Sequence, residues 1–170
     1  MSPRPLRLCF TRGERKTPRV ADTRRPATYG APVFSMVKWK AMARRLCIIF
    51  AVAFLLNLAW ENLHEVLYMH YQGGEITRLI LLRAALFDAA FITTLAAPFL
   101  SLSLSRLRVR LWLFIIPAVL FAVGLEWWAL ETGRWEYTVA MPLIPFLAVG
   151  LSPTVQLAFT GWLALLIARK

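Results

Sequence analysis

The chain contains few of the residues that build disulfide scaffolds, metal centres or charged soluble surfaces. Among 170 residues there are two cysteines, two histidines and nine acidic residues. Cys9 lies in a basic segment and Cys47 begins an apolar run, so a disulfide framework is excluded. The sequence also lacks a phosphate-binding glycine-rich loop and the Gly-x-Ser-x-Gly, Cys-x-x-Cys and His-Glu-x-x-His motifs. The common templates for nucleotide binding, serine hydrolysis, thiol redox chemistry and zinc proteolysis therefore do not apply.

What the chain does contain is apolar sequence. Hydrophobic residues make up 59% of it and the mean hydropathy is +0.58, whereas soluble domains are roughly 45–50% apolar. Four apolar runs of about 20 residues or more are each long enough to cross a bilayer, and lipid-exposed backbone must be helical to satisfy its own hydrogen bonds. We therefore predict an all-α integral membrane protein, a four-transmembrane-helix bundle. The predicted transmembrane domain is 46–170, with spans at about 46–68, 84–104, 111–131 and 143–168.

Residues 1–45 form a basic segment without apolar periodicity, which predicts a disordered N-terminal tail. Three interpretations of this tail compete. It is a basic tail on the cytoplasmic surface, an organelle transit peptide that is rich in arginine and poor in acids, or the product of a start codon assigned too far upstream. A start at Met36 or Met42 would give an N-terminus more usual for a bacterial membrane protein, and we favour this third interpretation.

The net charge of +11 is distributed unevenly along the chain. Most basic residues precede Leu46, and others lie at Arg106, Arg108 and Arg110 and at the C-terminus. Because positively charged loops stay in the cytoplasm, we predict both termini and the second connection to be cytoplasmic, as in a bacterial inner membrane. This segregation favours membrane topology and membrane lipids as partners, and no nucleic-acid partner is predicted.

A cluster of polar groups closes the first apolar run. Asn57, Glu61, His64 and Tyr68 follow one another at i, i+4, i+7 and i+11, so they share one face of a helix. Glu126 lies at the corresponding position of the third apolar run. At a rise of about 1.5 Å per residue, Glu61 and Glu126 both lie about 8 Å below the outer surface of a ~30 Å hydrocarbon core.

The second run brings a carboxylate to a similar level, because Asp88 lies about 6 Å from the outer surface by the same arithmetic. Ionisable groups at membrane depth indicate a functional site. We therefore predict catalytic roles for Glu61, His64, Asp88 and Glu126, as acid/base groups or metal ligands. Glu61 and His64 have the i, i+3 spacing of di-iron bundle sites, so a divalent metal is a possible cofactor.

Aromatic and amide side chains near this level are predicted to bind a substrate. Asn57 would orient the catalytic groups, and three tryptophans would wall the cavity. A further aromatic pair follows the third run and would anchor a turn after Gly133, which is predicted to end the helix. The predicted substrate-binding residues are Asn57, Trp60, Trp127, Trp128, Trp135 and Tyr137.

Residues 133–145 carry a Gly-x-Trp-x-Tyr turn, Gly133 to Tyr137, followed by Pro142 and Pro145. This segment resembles the membrane-embedded lycopene cyclase domains, which have such a turn between helices and a proline at the next helix start. The Pro-x-Glu-Glu pair of that family is absent, and the fourth run offers Pro153 and Gln156 instead. The resemblance implies a membrane enzyme acting on an isoprenoid-type lipid.

Two functional hypotheses follow from the sequence. In the first, the chain is a small membrane enzyme or ligand-binding protein that acts at the outer leaflet on a lipid-like, isoprenoid-type substrate. In the second, it is a non-catalytic membrane subunit or assembly factor whose polar groups bind the helices of a partner membrane protein. The same polar groups could also serve only as hydrogen bonds between this chain's own helices.

Overall fold

The computed structural model describes residues 31–101 and 107–169. They form mostly helices, with one short sheet. The elements in chain order are α1 Ala31–His64, β1 Tyr68–Tyr71, α2 Arg78–Ser101, α3 Leu107–Glu131, β2 Trp135–Tyr137 and α4 Leu151–Ile167. A single 3₁₀ turn, Glu65–Leu67, joins α1 to β1. The predicted helical bundle is confirmed, whereas a purely α-helical chain is not.

Three of the helices are long and apolar enough to cross a membrane, judged by length and composition. The segments are Trp39–Leu67, Arg78–Leu100 and Leu111–Glu131, and α4 is a shorter apolar helix of 17 residues. Successive helices run in opposite directions, so the sheet lies where α1 and α3 end and α2 and α4 begin. We call this the sheet end of the bundle, and the other the basic end.

The first two helices begin earlier than predicted. Helix α1 begins at Ala31, so the second part of the segment predicted to be a disordered tail is helical, and Met36 and Met42 both lie within it. Residues 1–30 of that tail lie outside the described residues. Helix α2 begins at Arg78 instead of residue 84, because Arg83 does not interrupt a helix whose next turns are apolar.

The fourth helix is shorter than predicted. Residues 143–150 were expected to be helical, but α4 begins only at Leu151. Pro142 and Pro145 lack the backbone N–H that a helix uses, and Phe146 and Ala148 adopt positive φ angles of 70° and 54°. The segment forms a loop held by its own backbone hydrogen bonds. Ile144 N–H donates to the Val149 carbonyl at 2.8 Å, and Leu151 N–H donates to the Pro142 carbonyl at 2.7 Å.

The sheet is a pair of short antiparallel strands. Tyr68 lies opposite Tyr137, and Tyr71 opposite Trp135. Before β2, Gly133 ends α3 as predicted, with φ +63° and an N–H that donates to the Leu130 carbonyl at 3.1 Å. The following N–H, of Arg134, donates to the Ala129 carbonyl at 2.8 Å, which completes a Schellman motif. This turn returns the chain over the bundle end.

The helices pack through small residues. Buried alanines recur on the inner faces of α1, α2 and α3, including Ala53, Ala89 and Ala118, each 0% exposed. On α4, Gly161 faces the ring of Phe114 so closely that an added Cβ would lie 2.4 Å from it. Such residues let helix backbones approach each other, as is typical of helix packing in membranes.

Candidate functional site

Three acidic side chains from three helices lie in the interior near the sheet end. They are Glu61 on α1, Asp88 on α2 and Glu126 on α3, and we call them the carboxyl cluster. Asp88 is 8% exposed and Glu126 is 5% exposed, while Glu61 is only partly buried. Glu61 and Glu126 are the electrostatic neighbours of Asp88. The structure therefore brings together three of the four residues predicted to be catalytic.

Gln156 of α4 connects two of these groups. Its Nε2 lies 2.7 Å from Glu61 Oε1 and 3.0 Å from Asp88 Oδ2. The same nitrogen is 3.1 Å from Asn57 Oδ1. An amide nitrogen carries two hydrogens, so it can serve at most two of these three acceptors at once. The third acceptor must receive its hydrogen bond from a different donor, such as the O–H of a protonated carboxyl group.

Asn57 and Thr160 complete the network on the side facing the basic end. Asn57 is 0% exposed and donates from Nδ2 to the Ala53 carbonyl at 2.8 Å. Thr160 is 2% exposed, and its hydroxyl lies 3.2 Å from Asn57 Oδ1 and 2.8 Å from the Gln156 carbonyl. Asn57, predicted to orient the acidic groups, thus shares the Gln156 amide nitrogen with Glu61 and Asp88.

Glu126 has a separate set of donors, supplied by the sheet. Trp135 Nε1 donates to its Oε2 at 3.2 Å, and the Tyr137 hydroxyl donates to the same oxygen. The Tyr68 hydroxyl, on β1, also bonds to this carboxylate. Because alternate residues of a strand face the same side, β2 presents both Trp135 and Tyr137 to Glu126 while Glu136 faces solvent.

The two tyrosines remain protonated donors. Burial and the nearby acidic groups raise the pKa of Tyr68. Burial and the hydrogen bond to Glu126 raise the pKa of Tyr137. Tyr137 also accepts a hydrogen bond from Gly150 N–H at 3.0 Å, which ties it to the start of α4. Glu126 is therefore surrounded by neutral groups that stabilise a negative charge.

Among the side chains that the structure describes, no basic group forms an ion pair with the carboxyl cluster. The ion pairs found there join His70 to Glu136 at 3.4 Å and Arg78 to Glu65 at 3.6 Å. Both lie at the surface, where such pairs stabilise little. The partners of the cluster among the described side chains are therefore neutral hydrogen-bonding groups.

His64, one turn beyond Glu61 on α1, bonds to Ser152 in the first turn of α4. Its ring packs against Trp60, with centroids 5.1 Å apart, and Trp60 also approaches Phe159. The Trp60 indole N–H is buried, with no hydrogen-bond partner among the described residues. Trp60 therefore packs beside the His64–Ser152 pair.

Glu61 and His64, the predicted metal ligands, have different hydrogen-bond partners in the structure. They bond to Gln156 and Ser152 respectively. In the described part of the chain, no three His, Cys, Asp or Glu side chains converge as metal ligands.

Trp127 and Trp128 do not line the cluster either. They are 53% and 48% exposed, since successive helical residues turn by about 100° and Glu126 occupies the inward position. Trp127 Nε1 donates to the Leu147 carbonyl at 2.9 Å, and the Arg134 guanidinium lies 4.4 Å from the Trp128 ring centre. They fix the connection between α3 and α4.

Three contributors were not among the predicted site residues. Gln156, Thr160 and Ser152 all lie on α4. A glutamine within a long apolar run is itself unusual, and that signal could have identified Gln156. Nothing in the spacing along the chain shows that Ser152 meets His64, 88 residues away.

Comparison with known proteins adds no relative. No protein-family model, curated protein or solved structure matches the chain. The resemblance to lycopene cyclases rests on residues 133–145. Within them, Pro142 and Pro145 lie in the loop before α4 and not at a helix start.

Proposed function

We propose that the chain is a membrane enzyme that uses the carboxyl cluster for acid/base chemistry on a lipid-like, isoprenoid-type substrate at the outer leaflet. The observation that carries this proposal is the arrangement of Glu61, Asp88 and Glu126 without a basic partner among the described residues. Three uncompensated negative charges in a bundle interior would be strongly unfavourable. The cluster therefore holds protons.

The three carboxyl groups have different hydrogen-bond partners and are therefore suited to different roles. Glu126 accepts hydrogen bonds from Trp135, Tyr137 and Tyr68, and these donors favour its ionised form. Glu61 and Asp88 compete for one amide nitrogen, which suits a pair that shares a proton. Neighbouring carboxyl groups whose environments differ in this way are the usual origin of separate acid and base roles.

Protonation of a carbon–carbon double bond is the chemistry that this division supports. Glu61 is the more exposed member of its pair and would donate the proton, while Asp88 supplies the next one. The π electrons form the new C–H bond, and the adjacent carbon becomes cationic. The Glu126 carboxylate would stabilise that positive charge. Asp88, left as a carboxylate once it has reprotonated Glu61, would accept the proton that a neighbouring carbon loses as the new double bond forms.

Deuterium transfer tests the proposal directly. The detergent-solubilised full chain is incubated in deuterated water with an isoprenoid lipid extract, and mass spectrometry detects carbon-bound deuterium in the lipids. The parent should introduce deuterium, and Glu61→Gln should not. Glu65→Gln is the matched control, because Glu65 lies one turn further along and pairs with Arg78 at the surface. Equal incorporation by the Glu61 variant, or none by the parent, would contradict the proposal.

The alternative hypothesis of a non-catalytic subunit needs polar groups that face a partner. Asn57, Asp88, Glu126 and Gln156 are instead buried and bonded within this chain, which favours the enzyme. Abundance separates the two hypotheses. A subunit or purely structural role predicts that Glu126→Gln lowers the level of the chain or of a co-purifying protein, whereas the enzyme keeps normal abundance and loses deuterium transfer.

A further inference from the structure

A second candidate site lies at the basic end, remote from the carboxyl cluster. A cavity of about 260 Å³ opens between the ends of all four helices. Two arginines line it, Arg45 of α1 and Arg169 just after α4. The other walls are apolar and include Ile49, Phe99, Leu111 and Leu165. The cavity thus combines guanidinium groups with a hydrocarbon surface.

None of the described residues that line this cavity is acidic. The described acidic residues lie between Glu61 and Glu136, in the half of the bundle near the sheet end. Further exposed basic residues lie at the same end of the bundle, namely Lys40, Arg44 and Arg108. The local field is therefore positive, and the two lining arginines are available to an external anion.

We propose that this cavity binds the phosphate-bearing headgroup of an anionic membrane lipid. Guanidinium groups pair with phosphate through directed hydrogen bonds. The first part of the acyl chain would lie along Leu111, Leu165 and Phe99. Basic pockets between membrane helices bind anionic headgroups in this way. The volume, just below the roughly 300–1,000 Å³ of pockets that enclose drug-sized ligands, suits a headgroup and not a whole lipid.

The proposal is independent of the acid/base function, because no residue of the carboxyl cluster lines the cavity. The two sites lie at opposite ends of the bundle, so loss of one is measurable while the other remains intact. Deuterium transfer reports on the sheet end, and lipid affinity reports on the basic end.

The test is a binding titration of the detergent-solubilised full chain. The probes are short-chain phosphatidylglycerol, the matching phosphatidylcholine and inorganic phosphate, and the readout is native mass spectrometry. We expect phosphatidylglycerol to bind at least tenfold more tightly than the other two. The double variant Arg45→Gln, Arg169→Gln should abolish this preference.

Two further variants separate the cavity from diffuse surface charge. Arg44→Gln removes a neighbouring exposed positive charge that does not line the cavity, and it should retain the preference. Leu165→Trp keeps both arginines but fills the cavity, and it should weaken phosphatidylglycerol binding. An equal loss in the Arg44 variant, unchanged binding in a folded Leu165 variant, or phosphate binding as tight as that of the lipid would overturn the proposal.

Discussion

Gln156 Nε2 lies 3.0 Å from Asp88 Oδ2 and so joins α4 to α2 inside the bundle. Asp88 is 8% exposed and Gln156 is 6% exposed, so water does not replace this contact readily. A buried acceptor that loses its donor costs about 1–3 kcal/mol, and more when it is charged. The stability of the bundle and the protonation of the cluster therefore depend on the same amide.

Replacement of Gln156 by leucine should destabilise the bundle by about 1–3 kcal/mol. The side chain keeps a similar size, but Glu61, Asp88 and Asn57 lose their shared donor. Thermal unfolding in detergent measures the change. Thr94→Val, which alters an exposed hydroxyl on α2, should leave the unfolding midpoint nearly unchanged. A Gln156→Leu midpoint equal to that of the parent would show that the amide is dispensable.

Two glycines should respond in opposite ways to alanine. Gly161→Ala would place a Cβ 2.4 Å from the Phe114 ring, and overpacking of this kind costs about 1–3 kcal/mol. At Gly124, within α3, an added Cβ meets nothing within 4 Å, so Gly124→Ala should stabilise the chain by about 0.5–1 kcal/mol. Unfolding of the two variants side by side checks both signs. A destabilised Gly124 variant would contradict the packing described for α3.

Alkaline pH should destabilise the sheet end. The raised pKa values of Tyr68 and Tyr137 mean that the folded chain keeps two protons which the unfolded chain releases above about pH 10. Stability falls with pH wherever the unfolded state binds fewer protons. The free energy of unfolding should therefore be constant below pH 10 from this source and decrease above it.

The double variant Tyr68→Phe, Tyr137→Phe should remove most of that alkaline decrease, although it starts from a lower stability because Glu126 loses two donors. Tyr71→Phe is the control, since the Tyr71 hydroxyl accepts a hydrogen bond from Arg134 and does not face Glu126. If the double variant lost stability above pH 10 as steeply as the parent, the alkaline decrease would have to come from other groups.

The proposed orientation predicts which residues face the outside of the cell. In a chain whose own cysteines are replaced by serine, Glu136→Cys lies on β2, where the native side chain is 65% exposed. Arg108→Cys lies at the start of α3, at the basic end. A membrane-impermeant maleimide should label residue 136 in intact cells and residue 108 only after permeabilisation. The reverse pattern would place the carboxyl cluster at the inner leaflet.

The sequence predicted the members of the carboxyl cluster better than their surroundings. Helical periodicity and depth were enough to place Glu61, Asp88 and Glu126 at one level, because both follow from local geometry. The donors to Glu126 could not be predicted in the same way. Trp135 and Tyr137 reach it because β2 pairs with β1, and a pairing between distant segments leaves no periodic trace.

Apolar composition alone does not determine backbone conformation or the direction in which a side chain points. Residues 143–150 are apolar enough for a membrane helix, yet two prolines and two left-handed residues make them a loop. Trp127 and Trp128, predicted to wall the cavity, directly follow Glu126 along α3. Adjacency along a helix places side chains on different faces, and both indoles point away.

The shortness of α4 has a consequence for the surrounding lipid. Its 17 residues extend about 25 Å, less than the ~30 Å hydrocarbon thickness of a typical bilayer. A short span is accommodated by local thinning of the bilayer, and each ångström of mismatch carries a modest free-energy penalty. In the proposed membrane orientation, the outer leaflet would be thinner beside Leu151, and lipid headgroups and water would lie closer to Ser152. Thicker membranes should therefore disfavour this chain, and reconstitution into lipids of graded chain length would show the preference.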